Sequence, residues 1–180
     1  ITDERLRTVV RAYLSEEGHE TGLVDVLFAG MVERVVALVS RVQGTYEFEV
    51  QPLREYFAAR YLYETAPYSP AGAERTGTRP DRFDALARDF YWLNVTRFYA
   101  GCFSKGELPS LVDRIEVLLR EPPFKHTAHP RILAAMLLSD WVFSQHPRSV
   151  STLVKLILDG VGLRAIAAAL NHRVRAPAVL

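Results

Sequence analysis

The chain is predicted to be mainly α-helical: a winged-helix domain with one β-hairpin, followed by an α-helical hairpin or repeat-like array. Three observations predict this. Apolar residues recur at helical spacing through most of the sequence, residues 46–50 alternate apolar and polar side chains as a half-buried strand does, and short proline- or glycine-bearing turns separate the helical patterns. The expected organisation is a winged-helix-like domain over residues 1–64, a linker over 65–82 and a helical domain over 83–180.

Residues 3–15 carry Leu6, Val9, Val10, Tyr13 and Leu14 on one helical face, with Thr2 or Asp3 as cap and Gly18 as terminator. In residues 23–36, Leu23, Val26, Leu27, Gly30 and Met31 predict a second helix, after which residues 37–42 become strand-like. Gln43, Gly44 and Thr45 supply a hairpin turn. Tyr46, Phe48 and Val50 then alternate with Glu47, Glu49 and Gln51, giving a strand with one wet face. Pro52 suits the first turn of a helix, where its missing N–H would have had no intrahelical partner, and the pattern runs to about Glu64. Leu53, Tyr56, Phe57, Arg60 and Tyr61 share a face whose aromatics are expected to be buried, while Arg60 and Glu64 form an i,i+4 pair.

Residues 65–82 hold three prolines and two glycines, a composition that does not sustain a helix. From Phe83 to Phe103 apolar residues surround most of a helical wheel, as in a helix enclosed by others. Residues 108–120, 130–145, 149–158 and 162–172 predict four more helices, and their short connections make them antiparallel neighbours.

A domain of 180 residues buries roughly 70% of its unfolded surface. Apolar residues are 49% and charged residues 24%, so the chain folds rather than remaining disordered. A net charge of +1 gives no global attraction to nucleic acid or to an anionic membrane. The single cysteine, Cys102, excludes a disulfide within the chain and reads as a small buried hydrophobe. The longest apolar runs, residues 132–138 and 163–170, are too short to cross a bilayer, so a cytoplasmic location without membrane partners is expected. A start at Ile1 without a methionine or a signal-peptide pattern is expected of an excised segment.

The chemistry-bearing residue types form no catalytic set. A phosphate-binding loop needs G-x-x-x-x-G-K-S/T, which does not occur. Leu156, Ile157, Leu158 and Asp159 imitate a magnesium-binding strand, but the apolar residues fit a helical face that Gly160 terminates. His126 and His129 lack a carboxylate or cysteine to complete a metal site and read as a solvated loop. His19, His146 and His172 stand alone near helix ends. Asp81 with Asp84, and Glu16 with Glu17, read as ionised surface charge. Phe90, Tyr91, Trp92, Phe98 and Tyr99 read as packed core, since Arg88 and Arg97 are too sparse for a base-stacking platform. No catalytic, cofactor-binding or metal residue is assigned, and the segment is expected not to be an enzyme.

DNA binding is the alternative a winged helix raises. The recognition helix would offer Arg34 against Asp25 and Glu33, and the wing Glu47 and Glu49 beside Arg41, so phosphates would be repelled. Arg5, Arg7 and Arg11 keep open a transcription regulator with a helical effector domain. A helical protein-binding scaffold is the third reading.

Residues 46–63, YEFEVQPLREYFAARYLY, resemble the end of the winged-helix domain in STAND-class signalling NTPases of the NACHT type. The family pattern Phe-x-His-x-x-Phe/Leu-x-Glu-Tyr-Phe/Leu-Ala-Ala is matched at Phe48, Leu53, Glu55, Tyr56, Phe57, Ala58 and Ala59. Residues 91–101, YWLNVTRFYAG, are similar to the helix ending in Ala-Gly that follows in such proteins. The resemblance implies an upstream P-loop ATPase core, absent from this segment, that binds ATP or ADP with magnesium and is held closed until a ligand is sensed. It implies as partners that core and a protein ligand or effector, with an oligomer in the activated full-length state. The biology implied is bacterial antiphage defence or stress signalling. The family's nucleotide-sensing histidine falls at Val50, which cannot contact phosphate in that way, so other contacts would hold the ADP state.

Overall fold

The computed structural model describes residues 1–30, 38–40, 42–67 and 76–175, with side chains through residue 168. Its architecture is mainly helical with a small two-stranded antiparallel sheet. The chain divides into two compact units, Ile1–Glu55 and Tyr56–Leu180. That division lies inside one helix, earlier than the boundary expected at residue 64.

In the first unit, α1 (Asp3–Glu16) starts at Thr2, whose hydroxyl accepts from the Arg5 N–H at 3.4 Å. Gly18 ends it as expected: its φ of 72° lets His19 N–H reach back to the Leu14 carbonyl at 2.7 Å, a turn that a residue with Cβ enters only at a cost. α2 (Val24–Ala29) packs on α1, and Val24 and Phe28 are buried. Arg7 ties the pair together, pairing with Asp3 at 2.9 Å and with Asp25, its guanidinium 4.1 Å from the centre of the Phe28 ring. The strand pair is β1 (Leu38–Val39) and β2 (Glu47–Phe48), with Leu38 opposite Phe48. Residues 31–37 and 41 of the expected second helix and strand, Glu33, Arg34 and Arg41 among them, lie outside the described residues.

α3 (Gln51–Glu64) follows β2 after a two-residue bend, with Pro52 in its first turn. Its buried face differs from the expected one. Ala59 is fully buried and Leu62 and Tyr63 pack against the core, whereas Tyr56, Phe57 and Tyr61 are exposed. The packed side is thus marked by Ala59 with Leu62 and Tyr63 rather than by the other aromatics.

The expected linker is helical at its end. α4 (Arg79–Ala87) begins at Thr78, and the Asp81 carboxylate accepts from the Thr78 N–H at 3.1 Å and hydroxyl at 2.7 Å, half of a capping box. Residues 68–75 of that linker lie outside the described residues. The long helix expected over residues 83–103 is interrupted: α4 ends at Ala87, a 3-10 turn spans Phe90–Trp92, and α5 (Leu93–Gly101) follows. Asp89 makes the break by accepting from the Tyr91 N–H at 2.9 Å. Consequently Phe90, Tyr91 and Trp92 are exposed instead of enclosed, and α5 buries one face, Val95, Thr96, Tyr99 and Ala100.

α6 (Leu108–Arg120) is amphipathic as predicted, burying Leu108, Leu111, Val112, Ile115, Leu118 and Leu119. Each such side chain contributes roughly 1.5–3 kcal/mol of transfer free energy. α7 (His129–Ser139) is shorter than residues 130–145. It stops in a turn where Trp141 has φ 62° and Val142 N–H reaches the Leu137 carbonyl at 3.2 Å. α8 (Pro147–Ile157) and α9 (Gly160–Arg175) complete the described helices. α4 packs on α5 and α6, α5 on α7, α6 on α7 and α8, and α7 on α8. The shared core contains Phe83, Tyr99, Leu111, Ile115, Leu133, Leu137, Phe143 and Leu153.

The start of α9 is close-packed. A Cβ on Gly162 would lie 1.7 Å from the Ile157 carbonyl oxygen, while one on Gly160 would meet only the Arg164 side chain at 3.6 Å. Gly162→Ala should therefore destabilise the protein by about 1–3 kcal/mol, and Gly160→Ala should be near neutral. Thermal unfolding of the two variants side by side checks this; equal melting temperatures would contradict the packing.

Candidate functional site

Two polar clusters and one cleft gather the charged and aromatic groups of the second unit. Glu107 is the centre of the first cluster. It accepts from the Tyr63 hydroxyl at 2.8 Å, Arg79 Nη1 at 2.6 Å, and the Ser104 N–H and hydroxyl at 2.9 and 2.6 Å. Burial opposes its ionisation, but the Ser104, Arg79 and Tyr63 hydrogen bonds outweigh it and hold the carboxyl at about 2. Burial and the bond to Glu107 push the Tyr63 phenol up to about 12. Arg79 also lies 3.9 Å from the Tyr63 ring centre, and its carbonyl accepts from the Tyr99 hydroxyl at 3.1 Å. The cluster ties α3, α4, α5 and the start of α6 together.

Arg131 forms the second cluster from a buried position in α7. Its Nε donates to Asp159 Oδ1 at 2.8 Å, its Nη2 pairs with Asp159 Oδ2, and Nη1 donates to the Thr127 carbonyl at 2.7 Å. Asp159 also accepts from the Val161 and Gly162 N–H groups at 3.1 and 2.8 Å, capping α9. The Arg131 hydrogen bond, with those amides, holds its carboxyl at about 2. The aspartate that imitated a magnesium ligand is thus a helix cap and an ion-pair partner.

The cleft, of about 360 Å³, is lined by Tyr56 and Arg60 of α3, by Asn94, Arg97, Phe98 and Gly101 of α5, and by Cys102, Asp140 and Val142. Tyr56 and Phe98 meet edge to face with ring centres 5.8 Å apart. Arg97 grips Asp140 with two parallel bonds, Nε to Oδ2 at 2.6 Å and Nη2 to Oδ1 at 2.7 Å, and Nη1 donates to Asn94 Oδ1 at 3.3 Å. Arg60 pairs with Glu64, as the i,i+4 spacing predicts. Cys102 is half-buried and donates to the Phe98 carbonyl at 3.4 Å, and burial pushes its thiol up, leaving it protonated at neutral pH. A separate groove of about 300 Å³ beside α7 and α9 is lined mainly by Ile132, Ala135, Ile157, Ala165 and Ile166.

The remaining expectations fall as follows. Val50 lies exposed in the bend before α3, its carbonyl accepting from the Leu53 N–H at 3.1 Å. Asp81 is a helix cap and Asp84 pairs with Arg88 at 2.9 Å. His126 is exposed, but His129 is not a solvated loop residue: it opens α7, and its Nε2–H donates to the Ala87 carbonyl at 2.6 Å. The ring lies between Phe90 and Phe124, and apolar neighbours from two other elements are what draw it inward. Among the described residues no group of three or more His, Cys, Asp or Glu could hold a metal ion, and no helix is long and apolar enough to cross a membrane. The Arg97–Asp140 fork and the Tyr63–Glu107 bond carry no local signal in the sequence, because their partners lie 43 and 44 residues apart, whereas the Ser104–Glu107 bonds follow from a Ser-x-x-Glu spacing that the sequence reading passed over. No family model, curated protein or solved structure matches the chain.

Proposed function

We propose that this chain is a non-catalytic regulatory segment of a STAND-type signalling NTPase, a winged-helix-like unit followed by stacked helical hairpins. One observation carries the reading. The two stretches that resemble the NACHT type are distant in sequence, yet residues 56–63 of the first and α5 of the second lie side by side, joined by the Tyr56–Phe98 pair and by Tyr63–Tyr99 at 6.0 Å. Such proximity is expected if both belong to one ancestral module. The α4–α6, α5–α7 and α6–α8 contacts support the hairpin-stack part of the proposal. Glu107, Arg97 and Arg131 are engaged in ties between elements, a use suited to transmitting packing changes. An ATPase core encoded upstream, ATP or ADP with magnesium bound there, and an oligomeric activated state complete the proposal, with bacterial defence or stress signalling as its setting.

The test is to express the whole open reading frame that contains this segment and to assay it for bound nucleotide. Co-purifying ADP and an encoded P-loop are expected; a frame without a P-loop would overturn the proposal. In that full-length protein, Val50→His should slow ADP release. A charge-assisted hydrogen bond of roughly 1.5–3 kcal/mol corresponds to about 10–150-fold, read by displacement of a fluorescent ADP analogue. An unchanged rate would refute the alignment of Val50 with the sensing histidine.

The apolar groove beside α7 and α9 favours, as a second reading, a helical scaffold that binds a protein segment.

A further inference from the structure

We infer that the cleft formed by α3, α5 and the turn after α7 is a binding site for a small, flat organic anion of the aromatic-carboxylate class. Its volume, about 360 Å³, lies in the range of small-molecule sites and suits a ligand of one or two rings. The walls combine aromatic surface with converging polar groups. Tyr56 and Phe98 offer ring edges and faces, against which an inserted ring packs offset or edge-on.

The charge of the cleft selects the ligand's sign. Arg97 and Asp140 neutralise each other in a two-bond fork, so Asp140 is already occupied and attracts a cation only weakly. Arg60 is the remaining cation of the lining; its partner Glu64 is not among the lining residues, although its charge is felt at Cys102. That pair is exposed on both sides, and exposed ion pairs hold their members loosely. A carboxylate seated in the cleft can therefore take over Arg60. Asn94 already gives its amide oxygen to Arg97, which turns the amide nitrogen into the available group, a donor suited to the same anion.

Two further features fit a site kept open. Gly101 stands on the lining in ordinary helix, and a Cβ placed there would meet nothing within 4 Å. Space is therefore available at that position, and a larger side chain would fill it. Trp141, between the lining residues Asp140 and Val142, is held in the left-handed region at φ 62° with its indole exposed. That conformation is disfavoured for a bulky residue and is found mainly where surroundings or function require it.

Cys102 makes the proposal directly testable, since it lines the cleft and is the single cysteine of the chain. Its rate of alkylation by iodoacetamide at mildly alkaline pH reports occupancy of the cleft. The probes are 2-naphthoate, with 2-naphthamide and 2-naphthylmethylamine as neutral and cationic analogues. Saturating 2-naphthoate should slow alkylation at least about tenfold, and Arg60→Gln or removal of the probe's charge should weaken its apparent affinity roughly tenfold. Gly101→Leu should abolish protection by 2-naphthoate while circular dichroism and melting temperature stay those of the parent. Equal protection by all three probes, no protection by 2-naphthoate at millimolar concentration, or an affinity unaffected by both substitutions would overturn the proposal. The outcome is read in this chain alone, so it is distinct from success or failure of the nucleotide-switch reading.

Discussion

Replacing Glu107 with alanine is expected to destabilise the second unit by about 2–3 kcal/mol, a fall in melting temperature of roughly 5–10 °C. The carboxylate receives four hydrogen bonds, two of them from Ser104, one from Arg79 and one from Tyr63. Truncation leaves the Tyr63 hydroxyl and Arg79 half-buried without that acceptor, with the Arg79 charge deprived of its partner, while the exposed Ser104 groups turn to water. The effect also has a pH signature. The folded-state carboxyl titrates at about 2, below the ordinary glutamate value of about 4.3. Its contribution to stability is therefore fully present above the unfolded value, declines as the pH falls between the two, and is lost below the folded one. With Glu107 partly exposed, solvent screening limits that contribution to roughly 1–2 kcal/mol. Urea denaturation at a series of pH values from 7 to 2.5 checks both parts. The acid limb of the stability curve should be shallower in Glu107→Gln than in the parent. An identical limb would show that Glu107 is not held in the arrangement described.

Arg131→Met is expected to cost about 2–3 kcal/mol, because it removes a buried arginine together with the four hydrogen bonds it donates to Asp159 and to the Thr127 and Lys125 carbonyls. The loss has two sources. Asp159 keeps its amide partners Val161 and Gly162 but no longer faces a cation, and the Thr127 and Lys125 carbonyls lose the donors that Arg131 supplied. Asp159→Asn is expected to cost more, about 3 kcal/mol or above, since it leaves the buried Arg131 charge without its carboxylate even though an amide oxygen still caps α9. The double variant should be no worse than Arg131→Met within about 0.5 kcal/mol, the signature of two residues acting through one contact. Equilibrium denaturation of the single and double variants measures it. Additive losses would mean that Arg131 and Asp159 act through separate partners.

Several elements were readable because their causes are local. α1 and its end at Gly18 follow from apolar spacing and a left-handed turn, and α6 follows from Leu111, Ile115 and Leu118 recurring on one face. The Arg60–Glu64 pair was legible for the same reason, as both residues lie on adjacent turns of α3. The start of α4 was also written locally, in Thr78, Pro80 and Asp81, but the surrounding glycines and prolines masked it. The break at Asp89 and the stop at Trp141 were not legible. A polar cap inside an apolar run and a tryptophan in a glycine-like turn both go against the average preference of those residues.

The site was less legible than the fold. Cys102 and Arg97 were visible as residues, yet nothing in the sequence brings Asp140 to Arg97 or Arg60 and Tyr56 to Phe98. Sequence by itself determined the helical class, the β-hairpin turn, the positions of most helices and the absence of a phosphate-binding loop, since each depends on residues within a few turns of one another. Only the tertiary structure decided which face of α3 is buried, that Phe90, Tyr91 and Trp92 are exposed, and that Glu107 and Arg131 tie helices together. The buried face of α3 and the ties of Glu107 and Arg131 rest on contacts between residues far apart in the chain, and the pairing of such residues is set by how the apolar faces pack, which no single stretch of sequence encodes.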